Sequence, residues 1–357
     1  MVILHIFESL NRKYAGTDVV IPEHIKAQQK LEKVACVNIA NLKIDGVDNQ
    51  LEYTEDFKIS NLQEPFNKPD IIVFHQLYYP KFLKIAKEAR KRKIPYVIIP
   101  HGGMTTQAQK IKRLKKTVGN IVFFNKFMKG ASAIQYLSGD EKSRTFKNYS
   151  SLVSTNGIYM PSEQKDSFNE DKLVFSYIGR YDTHIKGLDL LIEAIKLKEE
   201  LLRKNKCIFN FYGPQTEEYV QKINLLKEQI KGKGVSDLVF INGPTIDDEK
   251  KEVLLNTDIF IQCSRSEAMS MGILEAMSYG VPTLVTYTTT MGTFVDKYDA
   301  GWSCQTTVED IAQAIEKALA QKHLLNEKSK NAITLVKENF LWDKVARDAI
   351  ENYKKLI

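Results

Sequence analysis

Cysteine is scarce and scattered in this chain. Cys36, Cys207, Cys263 and Cys304 are its four among 357 residues. None forms a CxxC pair, so reduced, packed thiols are expected rather than a disulfide framework or a cysteine-held zinc site. No apolar run reaches the roughly 18 residues a spanning helix needs. The first ten residues, MVILHIFESL, carry Glu8 and lack the basic start of a secretory signal. The six histidines show no ligand spacing, and no Asp-x-Asp triplet offers a carboxylate pair to a divalent metal. Solenoid repeats and low-complexity tracts are also missing. What is there is ordinary globular composition, 43% apolar and 27% charged, long enough for two cores. A soluble, cytosolic protein is the expectation.

The net charge of +7 is unevenly spread. Residues 1–160 hold 25 Lys+Arg against 14 Asp+Glu, and residues 161–357 hold 26 against 30. The basicity concentrates in residues 81–129, where fourteen cations meet the single acid Glu88. A field of that sign attracts something anionic or faces water.

Short β-rich apolar runs alternate with helical patterns, which predicts parallel sheets with helices on both faces. Strands are expected near 2–6, 34–38, 71–74, 96–99, 121–124 or 133–137, and 151–154. After the polar stretch 160–171 the series restarts near 173–178, 207–211, 237–241, 258–262 and 282–286. The reading is therefore α/β, with two Rossmann-like doubly wound domains facing across a cleft. They divide as 1–160, 161–340 and a terminal segment 341–357, joined near 155–172. The segment 336–356 has a helical register. In such sheets ligands bind beyond the carboxyl ends of the strands, so chemistry is sought in the strand-to-helix loops.

Two loops carry signals. The first, after strand 173–178, reads Gly179-Arg180-Tyr181-Asp182-Thr183-His184-Ile185-Lys186-Gly187. Arg180 and Lys186 there suit a diphosphate clamp before a helix N-terminus; two solvated cations are the plain alternative. The second runs from Arg265 to Pro282. Glu267 and Glu275 lie eight residues apart and suit two hydroxyl pairs, while Ala268, Met269, Ser270, Met271 and Gly272 offer backbone N–H groups at a helix start. A surface Glu and a dipole-stabilised helix Glu are the plain alternative.

Together these loops, with FYGP, FINGP and the EAMSYGVP run, resemble the donor-binding half of a family 4 glycosyltransferase of the two-Rossmann GT-B type, over most of 171–345. The GRx5KG loop, the Ex7E pair and the EAMxxGxP end stand in the family's order and spacing. The resemblance implies a retaining, metal-independent enzyme using a nucleotide-diphosphate sugar and no cofactor. Arg180 and Lys186 would hold the diphosphate, Glu267 the donor sugar and Glu275 the ribose, with the 268–272 backbone lining the sugar. Ala268 stands where the family usually has Gly. Ile98-Ile99-Pro100-His101-Gly102-Gly103 resembles the family's strand-end His-Gly motif, which makes His101, with Glu267, the catalytic candidate. The family's first-strand Gly-Gly loop is reduced to Gly16-Thr17, so Gly16 is expected near the donor phosphate. Thr155-Asn156-Gly157 resembles the junction motif, and the terminal segment resembles closing helices that cross back to the first domain. The absence of Asp-x-Asp also sets the chain apart from the metal-using glycosyltransferase fold.

The basic, aromatic-bearing stretch 110–130 suggests an anionic membrane surface. Lys112, Arg113, Lys115 and Lys116 would meet lipid charge, and Phe123, Phe124 and Phe127 would seat in the interface. The plain alternative is a solvated helix followed by a buried strand. No nucleic-acid motif accompanies the charge. The resulting expectation is sugar transfer to a lipid-linked or oligosaccharide acceptor in cell-surface polysaccharide synthesis, on the inner face of the membrane. A sugar-nucleotide epimerase or hydrolase, and a non-catalytic sugar-nucleotide-binding subunit, are the other readings.

Overall fold

The computed structural model describes residues 1–12, 16–110, 113–169 and 171–357. The chain divides into two compact units, Met1–Gly157 with Trp342–Ile357, and Ile158–Leu341.

In the first unit the strands β1 (Val2–Phe7), β2 (Lys33–Asn38), β3 (Gln50–Leu51), β4 (Ile71–His75), β5 (Tyr96–Ile99), β6 (Ala133–Tyr136) and β7 (Ser151–Val153) form one sheet. Its order is β3-β2-β1-β4-β5-β6-β7, and its pairs are parallel. The helices are α1 (Gly16–Gln29), α2 (Pro80–Lys91), α3 (Thr106–Lys110), α4 (Arg113–Gly119), α5 (Asn125–Lys129) and α6 (Gly139–Ser143). Ile71, Ile72, Val73 and Phe74 are fully buried in sequence, the near-continuous apolar run of a strand covered on both faces.

The second unit holds β8 (Val174–Ile178), β9 (Ile208–Tyr212), β10 (Val239–Asn242), β11 (Ile259–Gln262), β12 (Thr283–Thr286) and β13 (Gly301–Cys304). The order β10-β9-β8-β11-β12-β13, again parallel, is that of a dinucleotide-binding sheet. Between the strands run α7 (Thr183–Lys186), α8 (Leu188–Leu197), α9 (Glu199–Lys204), α10 (Glu217–Gly232), α11 (Asp247–Leu255), α12 (Met271–Ser278), α13 (Gly292–Tyr298), α14 (Val308–Ala320) and α15 (Leu325–Asn339). The start of α14 is fixed by Thr307, whose hydroxyl accepts from the Asp310 N–H at 3.1 Å. Its buried stripe of Ile311, Ile315, Ala318 and Leu319 faces the sheet.

Residues 336–356 divide between two helices, α15 and a further one that begins at Trp342. The register of 336–356 is broken at Phe340–Leu341, where Ile158 N–H donates to Phe340 O at 2.7 Å, and α16 (Trp342–Lys354) belongs to the first unit. Val345, Ala346, Ala349, Ile350 and Tyr353 give α16 a buried stripe against α1. Gly157 makes room for it: a Cβ there would lie 2.5 Å from the Trp342 ring.

Residues 121–124 are helical, a π turn (Asn120–Phe124) linking α4 to α5, and the strand is β6. The sequence pattern missed β3 and β13, a pair of residues and a Gly-Trp-Ser-Cys run with no apolar stretch. Among the described residues no helix is long and apolar enough to cross a membrane.

Candidate functional site

In the second unit β8 is flanked by β9 on one side and β11 on the other, so the chain leaves the ends of β8 and β11 in opposite directions. That is the switch point where open α/β sheets bind ligands, and both loops singled out from the sequence begin there. They are tied together. The Arg265 N–H donates to Ile185 O at 2.8 Å. The Arg265 guanidinium grips both Asp189 carboxylate oxygens at 2.6 and 2.8 Å and the His184 carbonyl at 2.7 Å. Gly187 is required at this seam, with φ +66° and an ideal Cβ that would fall 2.0 Å from the Cys263 carbonyl oxygen.

Across the seam Lys186 Nζ donates to Glu267 Oε1 at 2.6 Å, with the side chains only 12% and 14% exposed. The same oxygen accepts from Ser264 Oγ at 2.8 Å and Gln262 Nε2 at 3.1 Å. Ser264 is itself held, its carbonyl accepting from Thr286 Oγ1 at 2.9 Å. A carboxylate with three donors on one oxygen is preset in direction. Burial raises the Tyr177 phenol's pKa well above the ordinary range, and the Glu267 charge adds to the rise. Desolvation opposes the Arg180 charge. Tyr219, hydrogen-bonded to the guanidinium, together with Glu267 and Tyr177 more than offsets it, so Arg180 stays firmly protonated.

Ala268, Met269 and Ser270 precede α12, which begins at Met271. Ser270 Oγ donates to Gln262 Oε1 at 2.7 Å, and Thr290 Oγ1 to the Ala268 carbonyl at 3.2 Å. A Cβ on Gly272 would stand 3.2 Å from Ile178 O, so the start of α12 lies against the end of β8. The first-turn N–H groups of a helix have no partner within it. Glu275, the fifth residue of α12, accepts from Lys250 Nζ at 2.7 Å. Asp182 caps α7 by accepting from the Ile185 N–H at 3.2 Å and takes Lys222 Nζ at 2.9 Å. Sequence reasoning missed Lys222 and Lys250; each lies on a helix remote in the chain, with no local motif to mark it.

In the first unit the corresponding switch point lies between β1 and β4. Gly16 opens α1, and a Cβ there would meet no atom within 4 Å. His101 follows β5 in the left-handed region, φ +47°, with Gly102 at φ +82°; strain of this kind gathers at functional loops. The turn is held by fully buried Glu141, which accepts from the Gly102 and Leu137 N–H groups, both at 2.7 Å. Burial raises the Glu141 pKa, and these two backbone bonds oppose the rise.

Four of the six histidines, without ligand spacing in the sequence, meet here. His101 Nε2 lies 3.2 Å from His75 Nδ1, His75 Nε2 lies 2.9 Å from His5 Nδ1, and Gln28 bridges His5 to His24 at 3.1 Å on each side. Nitrogens of His5, His24 and His75 come within 4.8 Å of one another. The 2.9 Å contact is a hydrogen-bond length, so these nitrogens are already partnered.

Lys112 lies outside the described residues. Arg113, Lys115 and Lys116 belong to α4. Lys116 Nζ donates to Ala108 O at 2.6 Å and lies 5.4 Å from the Tyr78 ring centre, while Arg113 and Lys115 are exposed. Of the three phenylalanines assigned to an interface, only Phe123 is exposed. Phe124 and Phe127 are core, packed edge-on against Tyr78 and Phe74. The helix exposes instead Leu114, Val118, Ile121 and Val122, a stripe at helical spacing whose Leu114 is 84% accessible. Beside it a pocket of about 520 Å³ is lined by Lys110, Arg113 and Lys147 with Gln109, Asn120 and Phe146.

Residues 161–335 match the family of glycosyl transferases group 1. The second unit carries a glycosyl transferases group 1 domain. Over 118 residues the chain is 34% identical to mannosylfructose-phosphate synthase of Agrobacterium fabrum, covering 33% of this chain and 26% of that protein. The chain spans between 26% and 60% of the curated relatives it matches.

In fold it is similar to sucrose-phosphate synthase from Thermosynechococcus elongatus, with TM-score 0.74, 14% identity and 100% and 99% of the two chains covered. It is likewise similar to Anabaena HepE in complex with UDP and glucose, with TM-score 0.72, 15% identity and 99% of each chain covered. These likenesses show two Rossmann-like domains, as the strand pattern predicts, in the GT-B fold that the loop motifs' resemblance implies.

Proposed function

We propose that the protein transfers a sugar from a nucleotide-diphosphate donor to a glycan acceptor, with retention at the anomeric carbon and without a metal. The Lys186–Glu267 pair carries this reading. It places a cation and an oriented carboxylate side by side on two loops locked at the ligand-binding end of the sheet. Residues 161–340 bind the donor and residues 1–160 the acceptor.

Lys186 and Arg180 take the diphosphate and meet the charge that builds on it as the glycosidic bond breaks. Glu267 accepts from hydroxyls of the donor sugar, and Glu275 from the ribose. The backbone of 268–272 supplies N–H donors along the sugar, and Gly16 lies near the donor phosphate. His101 acts on the sugar and the reaction centre. A departing phosphate oxygen can accept the acceptor's proton on the face it leaves, so no separate general base is required. The group 1 match and the HepE complex with UDP and glucose support a nucleotide-sugar donor.

The acceptor is lipid-linked and lies at the inner face of an anionic membrane, in cell-surface polysaccharide synthesis. The exposed Leu114–Val118–Ile121–Val122 stripe, flanked by Arg113 and Lys115 and by the basic pocket, supports this. The test is a panel of UDP-, GDP- and ADP-sugars with and without membrane extract, in EDTA. Nucleotide release that depends on extract is expected. Release that depends only on water, or only on added Mg²⁺ or Mn²⁺, overturns the proposal.

A further inference from the structure

Three buried histidines of the first unit and the half-buried His101 form a hydrogen-bonded line that can be followed to a fixed end. Gln135 Nε2 donates to the Ser154 carbonyl at 3.2 Å. A carbonyl only accepts, so the amide orientation of Gln135 is settled and its Oε1 is the atom that takes the Tyr353 hydroxyl at 2.7 Å. With its proton given to Gln135, the Tyr353 oxygen is left to accept, and the Gln28 side chain opposes the rise that burial imposes on the phenol's pKa. The Gln28 amide nitrogen faces His24 Nε2 and its carbonyl oxygen faces His5 Nε2, each at 3.1 Å, the orientation that keeps a donor on the side of the accepting Tyr353 oxygen.

The remaining protons follow one by one. His5 Nε2 must carry hydrogen to meet a carbonyl, so in the neutral ring His5 Nδ1 is bare and accepts from His75 Nε2 at 2.9 Å. His75 Nδ1 is then bare in turn, and accepts from His101 Nε2 at 3.2 Å. His24 Nε2 accepts from Gln28 at 3.1 Å, so His24 carries its proton on Nδ1. Stacked rings, 5.1 Å between His5 and His75 and 5.4 Å between His75 and His101, keep the line in register.

We infer that this one-way chain, running from the terminal helix through the sheet, locks His101 as its Nε2–H tautomer and so presents Nδ1 as a standing hydrogen-bond acceptor. His5, His75, Gln28 and Tyr353 are positioning residues that act through His101. Burial keeps the four rings neutral: His75 is held well below the ordinary histidine range, His5 and His101 are lowered to about 3 and His24 to about 4. A standing acceptor suits a sugar hydroxyl rather than a phosphate. That use rests on the function proposed above; the tautomer does not.

The experiment is long-range ¹H–¹⁵N spectroscopy of the full chain labelled at histidine, near pH 7, with zinc content measured on the same sample. Expected are Nε2–H signatures for His5, His75 and His101 and an Nδ1–H signature for His24. His75→Leu should leave His101 a mixture of both tautomers, with circular dichroism unchanged. Gln28→Glu should switch His24 to Nε2–H, because a carboxylate can only accept, and should leave His101 as it was; this variant serves if His75→Leu fails to fold. An Nδ1–H signature at His101 in the unaltered protein, a His24 that ignores Gln28→Glu, or stoichiometric zinc overturns the inference. If the tautomers are as expected but saturating nucleotide sugar leaves His101 unshifted, the inference stands and the sugar-facing role of His101 falls.

Discussion

Removing Lys186 and removing Glu267 should have unequal consequences, because the structure leaves different groups stranded. In Lys186→Ala, Glu267 Oε1 keeps its donors Ser264 and Gln262 at 2.8 and 3.1 Å, so the carboxylate is still satisfied. In Glu267→Ala, Lys186 is left 12% exposed without the carboxylate it faced. Stranding a fully buried partner costs roughly 3–5 kcal/mol, and the residual exposure of this pair brings the expectation to about 2–3 kcal/mol. Lys186→Ala should cost about 1 kcal/mol, the scale of one satisfied surface-proximal bond.

For the donor the order reverses. A charge-assisted contact to phosphate contributes about 1.5–3 kcal/mol, so Lys186→Ala should weaken nucleoside diphosphate binding about 10- to 150-fold. Glu267→Gln, which keeps an acceptor oxygen, should leave UDP affinity within about tenfold and show its loss only with the intact nucleotide sugar. Calorimetry with UDP and with UDP-sugar, alongside urea unfolding, measures all four quantities. Equal stability losses for both alanine variants, or unchanged UDP affinity in folded Lys186→Ala, would contradict these roles.

Gly187→Ala places a Cβ 2.0 Å from a carbonyl oxygen at φ +66°, so thermal unfolding should show a loss of several kcal/mol, of the order of 3; a Tm within a degree of the parent would contradict the seam. Acid should destabilise the first unit early. His5, His24 and His101 have folded pKa values of about 3 to 4 against 6.5 unfolded, so the unfolded chain binds more protons below pH 6.5, and stability falls with pH toward 4. The slope is up to about 1.4 kcal/mol per pH unit for each histidine, and His24→Gln should flatten it in urea titrations at pH 7, 6 and 5. Replacing Leu114 and Ile121 by Asp should abolish sedimentation with anionic vesicles at low salt while donor hydrolysis persists; undiminished co-sedimentation would remove the membrane assignment.

The fold was legible because strands buried on both faces, such as Ile71–Phe74 and Ile259–Gln262, announce themselves as apolar runs between helical patterns. Residues 121–124 misled because Ile-Val-Phe-Phe is as apolar as a strand, although its neighbours on both sides continue one helix. Phe124 and Phe127 look like their exposed neighbour Phe123 in sequence; only the helical phase, a turn apart, separates core from surface. The loops at Arg180–Gly187 and Arg265–Glu275 were legible because they are local. What could not be read was anything assembled across the fold. Lys250 against Glu275 and Arg265 against Asp189 meet only in the folded second unit; above all His5, His75 and His101, spread over almost a hundred residues, become neighbours only once the parallel order β1-β4-β5 sets their strand ends side by side, with His24 brought in on α1.

The proposed chemistry is retaining transfer from a donor held by Lys186 and Glu267. The direct measurement is NMR of the anomeric centre in the product formed from an α-linked nucleotide sugar in EDTA. An α-linked product whose rate collapses in Lys186→Ala is the predicted result. A β-linked product, or a sugar trapped covalently on Glu267, would contradict the claim.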